Sequence, residues 1–223
     1  MKIGIIGYGK MGKIVEQIAL ERGHTISFIL KTNDCKINKD VDVAIDFSTP
    51  NSAFDNINKC LLNNIKIISG TTGWLNKIEQ VHLKCRSLNG TFLHASNFSL
   101  GANIFFELNK NLSKLISNFN YNVSINEAHH IHKLDKPSGT AITLARDIEL
   151  NCNNKFKDIL IESTRENQVN GVHNIIYESF EDSISITHKA KNRKGFAKGA
   201  VITAEWIKDK QGIFTIKDML KLG

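Results

Sequence analysis

The 223-residue sequence predicts an α/β protein, with a parallel-sheet region over about the first hundred residues and a smaller α+β region after it. Two observations predict this division. Up to about residue 100, short apolar runs alternate with amphipathic runs, which is typical of parallel strands joined by helical crossovers. Beyond that point the alternation gives way to a long helical run, a polar strand and a predicted hairpin.

The first region contains five predicted strands. Residues 2–7 (KIGIIG) are almost entirely apolar, as expected for a strand buried on both faces. Residues 11–23 follow with apolar side chains at helical spacing and end at Gly23, a typical helix-terminating residue. The other predicted strands are 25–30, 41–48, the first part of 65–73, and 91–99, and the other predicted helices are 51–64 and 76–88.

The second region mixes helices and strands in a different order. Its predicted elements are a helix at 102–117, a strand at 121–126, a helix at 140–150 and a hairpin formed by strands 171–180 and 183–190. A last helix at 197–208 and a short amphipathic tail close the chain. No repeat and no low-complexity linker separates the two regions.

The composition favours a small anionic ligand over nucleic acid or a membrane. The net charge of +7 is spread along the chain, and no aromatic-studded RNA-binding motif or zinc finger accompanies it. No apolar run approaches the length of a signal core or a membrane span. The four cysteines lie far apart, which favours reduced thiols, and we therefore expect a cytoplasmic protein: Cys35, Cys60, Cys85 and Cys152.

A glycine pattern follows the first predicted strand. The segment GYGKMG has the G-x-G-x-x-G spacing and opens an amphipathic helix, which is the context that a Rossmann-type dinucleotide site requires. The helix N-terminus would then face the cofactor phosphates. The alternative is a glycine-rich turn that binds nothing. The predicted cofactor residues in this turn are Gly7, Tyr8, Gly9, Lys10, Met11 and Gly12.

The choice between NADH and NADPH stays open. Enzymes that prefer NAD usually carry an acid near the end of the second strand, but this sequence has Lys31, Thr32 and Asn33 there, and Asp34 comes late. Lys31 would suit a 2′-phosphate, although a single lysine is also common on a surface. The segments 69–73 and 95–99 end the fourth and fifth strands, where ligands bind parallel sheets; ordinary loops are the alternative.

The segment EAHHIHKLDKPSGTA, residues 127–141, admits three interpretations. A metal site is disfavoured because His129 and His130 would point to opposite faces of a strand and because Lys133 and Lys136 add positive charge. In an anion site, Ser138 would cap a helix whose first N–H groups, at Gly139 and Thr140, bind a carboxylate. A histidine titrating near neutral pH would then exchange a proton. A capped surface loop is the third interpretation.

This segment resembles the signature of the dihydrodipicolinate reductase (4-hydroxy-tetrahydrodipicolinate reductase) family of lysine and diaminopimelate biosynthesis. The resemblance also covers GYGKMG, DFSTP (46–50), SGTTGW (69–74), NFSLGANI (97–104) and ITHKAKNRKGFAKGAV (186–201). It implies an oxidoreductase that uses NADPH or NADH to reduce a cyclic imine dicarboxylate to tetrahydrodipicolinate. Hydride would reach the ring, and the resulting enamine would take up a proton. Together with the residues that disfavour a metal site, this predicts no bound metal.

The resemblance also implies residue roles. His129 and Lys133 match the proton-transfer residues, and His130, Gly139 and Thr140 match substrate-binding positions. The implied cofactor contacts, beyond the glycine turn and Lys31, are Gly70, Thr71, Thr72, Ser96, Asn97, Phe98 and Ser99.

The family architecture implies two domains and an oligomer. Residues 1–100 with 196–223 would bind the dinucleotide, and residues 101–195, a domain with an open mixed sheet, would bind the substrate and form a homotetramer. The chain departs from the family pattern at Ile131, where arginine is common, and at Glu166, where glycine is familiar. It is also short over 151–170. Two other hypotheses remain: a dinucleotide-sensing binding protein, and another small-acid dehydrogenase on the same plan.

Overall fold

The protein is described by a computed structural model covering residues 1–31, 37–152, 155, 156 and 158–221. Residues 1–100 with 193–221 form one compact unit, and residues 101–192 form a second, within the described part of the chain. The proposed domain boundaries, at 100/101 and 195/196, fall close to these divisions.

A six-stranded parallel sheet forms the centre of the first unit, with strand order β10-β5-β4-β3-β1-β2. Its strands lie at the centre because they are nearly all apolar: Ile3, Ile5 and Ile6 of β1 are at most 1% exposed. The strands are β1 (Lys2–Ile6), β2 (Thr25–Leu30), β3 (Val43–Asp46), β4 (Lys66–Ser69), β5 (Thr91–His94) and β10 (Gly212–Phe214).

Helices pack on both faces of this sheet. One apolar cluster joins β1 and β3 to α1 and α6, and another joins the opposite face to α2 and α3. The buried residues of α1 recur at helical spacing, at Gly12, Val15, Ile18 and Ala19. The helices are α1 (Lys10–Glu21), α2 (Pro50–Leu62), α3 (Ile78–Ser87), α6 (Lys194–Ile207) and α7 (Ile216–Leu220), and a short 3-10 turn spans Leu75–Lys77.

The second unit is a four-stranded mixed sheet, ordered β7-β6-β8-β9, in which only the β6–β7 pair is parallel. Alternate residues, such as Ile125 and Ile175, are buried against helices α4 and α5. The intervening residues are half-buried or exposed. The elements are α4 (Leu100–Ile116), β6 (Asn122–His129), α5 (Gly139–Asn151), β7 (Leu160–Arg165), β8 (Val172–Glu178) and β9 (Ser183–Lys189).

The predicted fold class is confirmed: a Rossmann-type parallel sheet is followed by a smaller unit with a mixed sheet. Three details were missed. The strand predicted to end at 126 runs on through His129, β7 was not predicted, and the C-terminal tail contains β10 and α7. These strands depend on distant partners: β6 pairs with both β7 and β8, and β10 pairs with β5.

Two further expectations concern the chain as a whole. Cys60, Cys85 and Cys152 are buried free thiols, as expected, whereas Cys35 lies outside the described residues. Among the residues that the structure describes, no helix is both long enough and apolar enough to cross a membrane.

Candidate active site

The glycine turn after β1 has the geometry that the sequence predicted. Gly7 has a φ of +85°, which L side chains rarely adopt, and a Cβ there would lie 2.3 Å from the carbonyl oxygen of Phe47. A Cβ on Gly12 would lie 2.1 Å from the Gly7 carbonyl oxygen. A Cβ on Gly9, in contrast, would have no described neighbouring atom within 4 Å, so the backbone there is open to a ligand.

The N-terminus of α1 suits a phosphate group. Gly9 is the N-cap residue, so no capping side chain covers the first N–H groups of the helix, and the first turn contains no acidic residue. These N–H groups and the helix dipole attract anions. The described residues at this end of the sheet therefore fit a dinucleotide pyrophosphate.

A cavity of about 620 Å³ opens beside this turn. Gly7, Tyr8, Gly9 and Lys31 line it, so the structure brings together four of the predicted cofactor residues. The rest of its lining was not predicted from the sequence and comes mainly from the segment after β3: Ile6, Leu30, Phe47, Ser48, Thr49, Asn51, Ser52, Asp55, Asn56 and Lys59.

Another cavity, of about 630 Å³, lies where β5 and β10 begin and is lined in part by Gly90 and Gly212. Ligands bind open parallel sheets at the opposite, carboxyl ends of the strands. The cavity beside Gly7 is therefore the better candidate for the cofactor.

Tyr8 and Lys31 lie next to each other in the lining of the cavity beside the glycine turn. The Lys31 ammonium lies 5.7 Å from the centre of the Tyr8 ring, and Lys13 lies 5.9 Å from it. The Tyr8 hydroxyl donates a hydrogen bond to Glu16, which raises the pKa of Tyr8. The positions after β2 where enzymes that prefer NAD carry an acid for the ribose lie outside the described residues: Thr32, Asn33 and Asp34.

The loop after β4 is hydrogen-bonded to the buried carboxylate of Asp46. Asp46, at the end of β3, is fully buried, and its Oδ2 accepts hydrogen bonds from Ser69 at 2.7 Å and Thr71 at 2.8 Å. Burial raises the pKa of Asp46, and these hydrogen bonds act in the opposite direction. The Thr71 hydroxyl therefore already donates a hydrogen bond within the protein, whereas Thr72 is exposed. Gly70 donates its N–H to the Asp46 carbonyl oxygen at 2.9 Å.

In the segment from Ser96 to Ser99, Phe98 and Ser99 are buried and Asn97 is half-buried. Phe98 is 1% exposed, and its ring packs edge-on against Phe47 at 5.9 Å in the core. Asn97 accepts a hydrogen bond from the Ser99 N–H at 2.8 Å, while Ser96 is exposed. Lys10 is also exposed, and Met11 packs against the core.

In the second unit, the end of β6 carries a buried acid and a buried histidine. Glu127 and His129 are two residues apart on one strand and therefore share a face; they are 2% and 8% exposed. His129 Nδ1 lies 3.0 Å from Glu127 Oε2. Burial lowers the pKa of His129; the Glu127 charge acts to raise it, and those of Lys133 and Arg165 lower it further.

Ser138, Arg165 and His173 lie beside this pair. We call the five residues together the Glu127 cluster: Glu127, His129, Ser138, Arg165 and His173. Glu127 Oε1 accepts hydrogen bonds from the Ser138 N–H at 3.0 Å and from the Arg165 guanidinium at 3.2 Å. His173 Nε2 lies 3.1 Å from the Ser138 hydroxyl, and the His173 ring is 5.0 Å from that of His129.

The charges in this cluster are fixed by burial and hydrogen bonding. Although burial acts to raise it, the pKa of Glu127 is lowered to about 2 by hydrogen bonds, chiefly from Ser138, and by the His129 charge. Burial lowers the pKa of His173 to about 4. At neutral pH the cluster thus contains an ionised Glu127 and a neutral His173.

The predicted helix start after the histidines is present. Ser138 is the N-cap residue of α5, and its hydroxyl accepts a hydrogen bond from the Ala141 N–H at 3.2 Å. Gly139 and Thr140 form the first turn, where backbone N–H groups can bind an anion. Lys133 lies in the preceding loop, with its ammonium 2.8 Å from Asp135 Oδ1.

The other two histidines stand apart from this cluster. His130 follows the strand, and its ring centre lies 6.2 Å from that of the exposed His132. Ile131 is also exposed, and the Glu166 N–H bonds to the His129 carbonyl oxygen at 2.8 Å. Both departures from the family pattern are therefore accommodated without displacing His129 from β6.

One set of described side chains has metal-ligand character. Donor atoms of Glu127, His129 and His173 lie within 4.8 Å of one another. However, Arg165 and the Ser138 N–H occupy one oxygen of Glu127. The guanidinium charge also opposes a dication. The prediction that no metal is required stays a prediction.

The grouping of Glu127, His173 and Arg165 in one cluster was not predicted from the sequence. Strand alternation could have placed Glu127 on the same face as His129. It could also have placed His173 on the buried face with Ile175 and Tyr177. The pairing that joins these strands, Glu127 opposite His173 and His129 opposite Arg165, could not be read from the sequence.

The glycine turn at the carboxyl edge of a parallel sheet and a second unit with a buried acid–histidine pair define a class, the two-domain oxidoreductases that use a nicotinamide dinucleotide. Comparison with known proteins defines the family. The family model "Dihydrodipicolinate reductase, N-terminus" matches residues 1–98, and "Dihydrodipicolinate reductase, C-terminus" matches residues 101–220.

Relatives extend this match across the chain. The 4-hydroxy-tetrahydrodipicolinate reductase of Christiangramia forsetii is 48% identical over 236 aligned residues, covering 99% of this chain and 98% of the relative. That of Wigglesworthia glossinidia brevipalpis is 38% identical, covering 82% and 69%. The chain belongs to the dihydrodipicolinate reductase family, whose members are NAD(P)H-dependent oxidoreductases of lysine and diaminopimelate biosynthesis.

Solved structures share the fold. Dipicolinate-bound dihydrodipicolinate reductase from Paenisporosarcina sp. TG-14 superposes with a TM-score of 0.82 at 20% identity, covering 99% of both chains. A putative myo-inositol dehydrogenase from Sinorhizobium meliloti 1021 has a TM-score of 0.61 at 8% identity, covering 93% of this chain and 88% of that one. At these identities the likeness concerns the fold alone.

Proposed function

We propose that this protein reduces the cyclic dicarboxylate imine 4-hydroxy-tetrahydrodipicolinate to tetrahydrodipicolinate, with NADH or NADPH as the electron donor. Family membership gives the reaction. The observation that carries the proposal is the juxtaposition, in one unit, of a buried His–Glu pair and a capped helix N-terminus. A proton donor beside an anion-binding helix start is what reduction of a dicarboxylate imine requires.

The first unit supplies the cofactor site. We assign the pyrophosphate to the N–H groups at the start of α1, and the adenosine side to the cavity lined by Tyr8 and Lys31. The loops at Gly70–Thr72 and Ser96–Ser99 would border the nicotinamide, mainly through backbone groups, because Thr71 and Phe98 are buried. When bound, the reduced dinucleotide supplies the hydride.

The second unit supplies the substrate site. Gly139 and Thr140 would hold one substrate carboxylate through the first-turn N–H groups of α5, with His130 as a further contact. Lys133 would add positive charge after exchanging Asp135 for the substrate. His129 and Lys133 are the proposed proton-transfer pair: once hydride has reached the ring, the enamine takes up a proton at carbon. A bound dianion would favour the protonated form of His129.

A homotetramer and a cytoplasmic location are part of the proposal. On the mixed sheet, the face opposite α4 and α5 carries half-buried or exposed residues on neighbouring strands, including Asn126, Asn174, Ile176, Ser185 and Thr187. An uncovered sheet face of this kind suits association with other copies. Light scattering in solution should give four times the chain mass of 25.0 kDa.

A coupled assay tests the activity. The purified protein is mixed with substrate generated by the preceding synthase, and loss of NADH or NADPH absorbance is followed. We expect oxidation that requires both the synthase product and this protein. No oxidation above background with either cofactor, from protein with a cooperative unfolding transition, would overturn the proposal. A panel of other amino and keto acids should give no comparable rate.

A further inference from the structure

The Glu127 carboxylate is held so that one oxygen remains directed at His129. Its Oε1 accepts hydrogen bonds from the Ser138 N–H and from Arg165, which fixes the carboxylate within the cluster. Its Oε2 lies 3.0 Å from His129 Nδ1. Among the described residues, neither Oε2 nor Nδ1 has a partner that meets hydrogen-bond geometry, so the 3.0 Å ion-pair contact between them is the closest charged contact of Oε2; His173 Nε2 lies farther from it, at 3.7 Å.

This pairing selects one tautomer of the histidine. Because Glu127 stays ionised over the working pH range, its oxygen can only accept a proton from a neighbour. His129 Nδ1 must therefore carry hydrogen when the ring is neutral. Proton exchange with a substrate is left to the other ring nitrogen, Nε2.

The Nε2 edge of His129 is kept open by a glycine. Gly171, just before β8, has a φ of +141°, and a Cβ there would lie 3.2 Å from Nε2 and 3.3 Å from Cδ2 of His129. Any side chain at this position would press on the nitrogen that Glu127 leaves available, and its backbone would be strained.

We propose that Glu127 is the positioning residue of the reduction: it binds the Nδ1 proton of His129 and so presents Nε2 as the proton donor, while Gly171 keeps that nitrogen accessible. The inference rests on the proposed reductase activity. In the step, His129 starts as the imidazolium; its Nε2–H bond breaks, the proton forms the new C–H bond with the enamine carbon, and His129 is left neutral with Nδ1–H directed at Glu127. Solvent then returns a proton to Nε2.

The groups that face His129 set the direction of the pH effect. They are Glu127 on its own strand, Arg165 on β7, His173 on β8, and Lys133 and Asp135 in the following loop. Of the acids that the structure describes near the ring, only Glu127 is buried. Removal of its charge should therefore lower the pKa of His129, and a proton donor with a lower pKa loses activity at a lower pH.

The test compares Glu127→Gln with Glu162→Gln, a matched change at an exposed position on the adjacent strand β7. For Glu127→Gln we expect kcat to fall at least about tenfold with KM changed less than about threefold, and the alkaline limb of kcat/KM to move to lower pH. Glu127→Asp should restore the wild-type position of that limb. Glu162→Gln should match the wild type. An unchanged pH profile in folded Glu127→Gln would overturn the inference.

A second measurement needs no variant at Glu127. The ring ¹⁵N shifts of wild-type His129, assigned by comparison with His129→Gln, should show the Nδ1–H tautomer at high pH. The Nε2–H tautomer would overturn the inference even if the enzyme is active. Absence of wild-type turnover, in contrast, would count against the proposed function and leave this spectrum to decide the role of Glu127.

Discussion

The ammonium group of Lys133 is paired with Asp135, 2.8 Å from its Oδ1, at the entrance to the first turn of α5. The hydrogen bond from Lys133 is the largest cause that lowers the pKa of Asp135, and the backbone of Gly139 acts in the same direction. Asp135 thus occupies Lys133, one of the groups proposed to bind a substrate carboxylate. The Asp135 carboxylate therefore competes with a substrate carboxylate for binding in this loop.

Substitution of Asp135 should therefore tighten substrate binding. In Asp135→Asn the competing charge is lost, and we expect KM for the dicarboxylate to fall about threefold, the scale of an exposed ion pair, with little change in kcat. Initial rates over a substrate series measure this. Glu181→Gln, an exposed acid in the β8–β9 turn, is the control. A raised KM in Asp135→Asn would instead make Asp135 part of the binding site.

Loss of either proposed proton-transfer residue should slow the chemical step. His129→Gln and Lys133→Ala should each reduce kcat by about 10²-fold or more, the usual scale for lost acid–base assistance. Lys133→Ala should also raise KM, because Lys133 is proposed to contact the carboxylate. Steady-state kinetics separate the two effects. His132→Gln, at an exposed neighbouring histidine, should stay close to the wild type; turnover unchanged in His129→Gln would mean that the role is misassigned.

The sequence predicted the residues of this site better than their arrangement. The pattern of apolar residues and the spacing of glycines are local signals. They were therefore enough to predict β1, the turn at Gly7–Gly12 and the helix cap at Ser138 from the sequence. The contact of Glu127 with Arg165 and His173 arises from the pairing of β6 with β7 and β8. Such pairings join residues some 40 positions apart, and β7, with the sequence LIESTR, has only a weak apolar pattern of its own.

Lys31 should favour NADPH over NADH. Its ammonium lines the cavity beside the glycine turn, where a 2′-phosphate would add charge-assisted hydrogen bonds. Lys31→Ala should raise KM for NADPH about tenfold and leave KM for NADH nearly unchanged. Lys13→Ala is a matched control, because Lys13 also lies over the Tyr8 ring but does not line the cavity. Equal effects on both cofactors would rule out recognition of the 2′-phosphate.

The buried His173 should make the protein less stable in mild acid. The folded chain protonates His173 only near pH 4, whereas an unfolded chain does so near the ordinary value of 6.5. Between these values the unfolded state binds more protons than the folded state. The free energy of unfolding should therefore decrease as the pH is lowered from 6.5 towards 4, by at most about 3 kcal/mol. In His173→Asn this part of the pH dependence should disappear, although the variant is less stable overall. Urea midpoints measured across this window check it; an unchanged slope would contradict it.

Activity should not depend on a metal ion, although Glu127, His129 and His173 offer three donor atoms within 4.8 Å. Arg165 donates a hydrogen bond to Glu127 Oε1, and its positive charge beside this ionised carboxylate opposes the binding of a dication. Dialysis against a chelator should therefore leave kcat unchanged, and elemental analysis of the active protein should find no stoichiometric zinc. In Arg165→Ala, where the opposing charge is gone, zinc should bind more tightly than in the wild type, as isothermal titration would measure. Loss of wild-type activity on chelation, with recovery on adding Zn²⁺, would show that the cluster holds a metal rather than a proton.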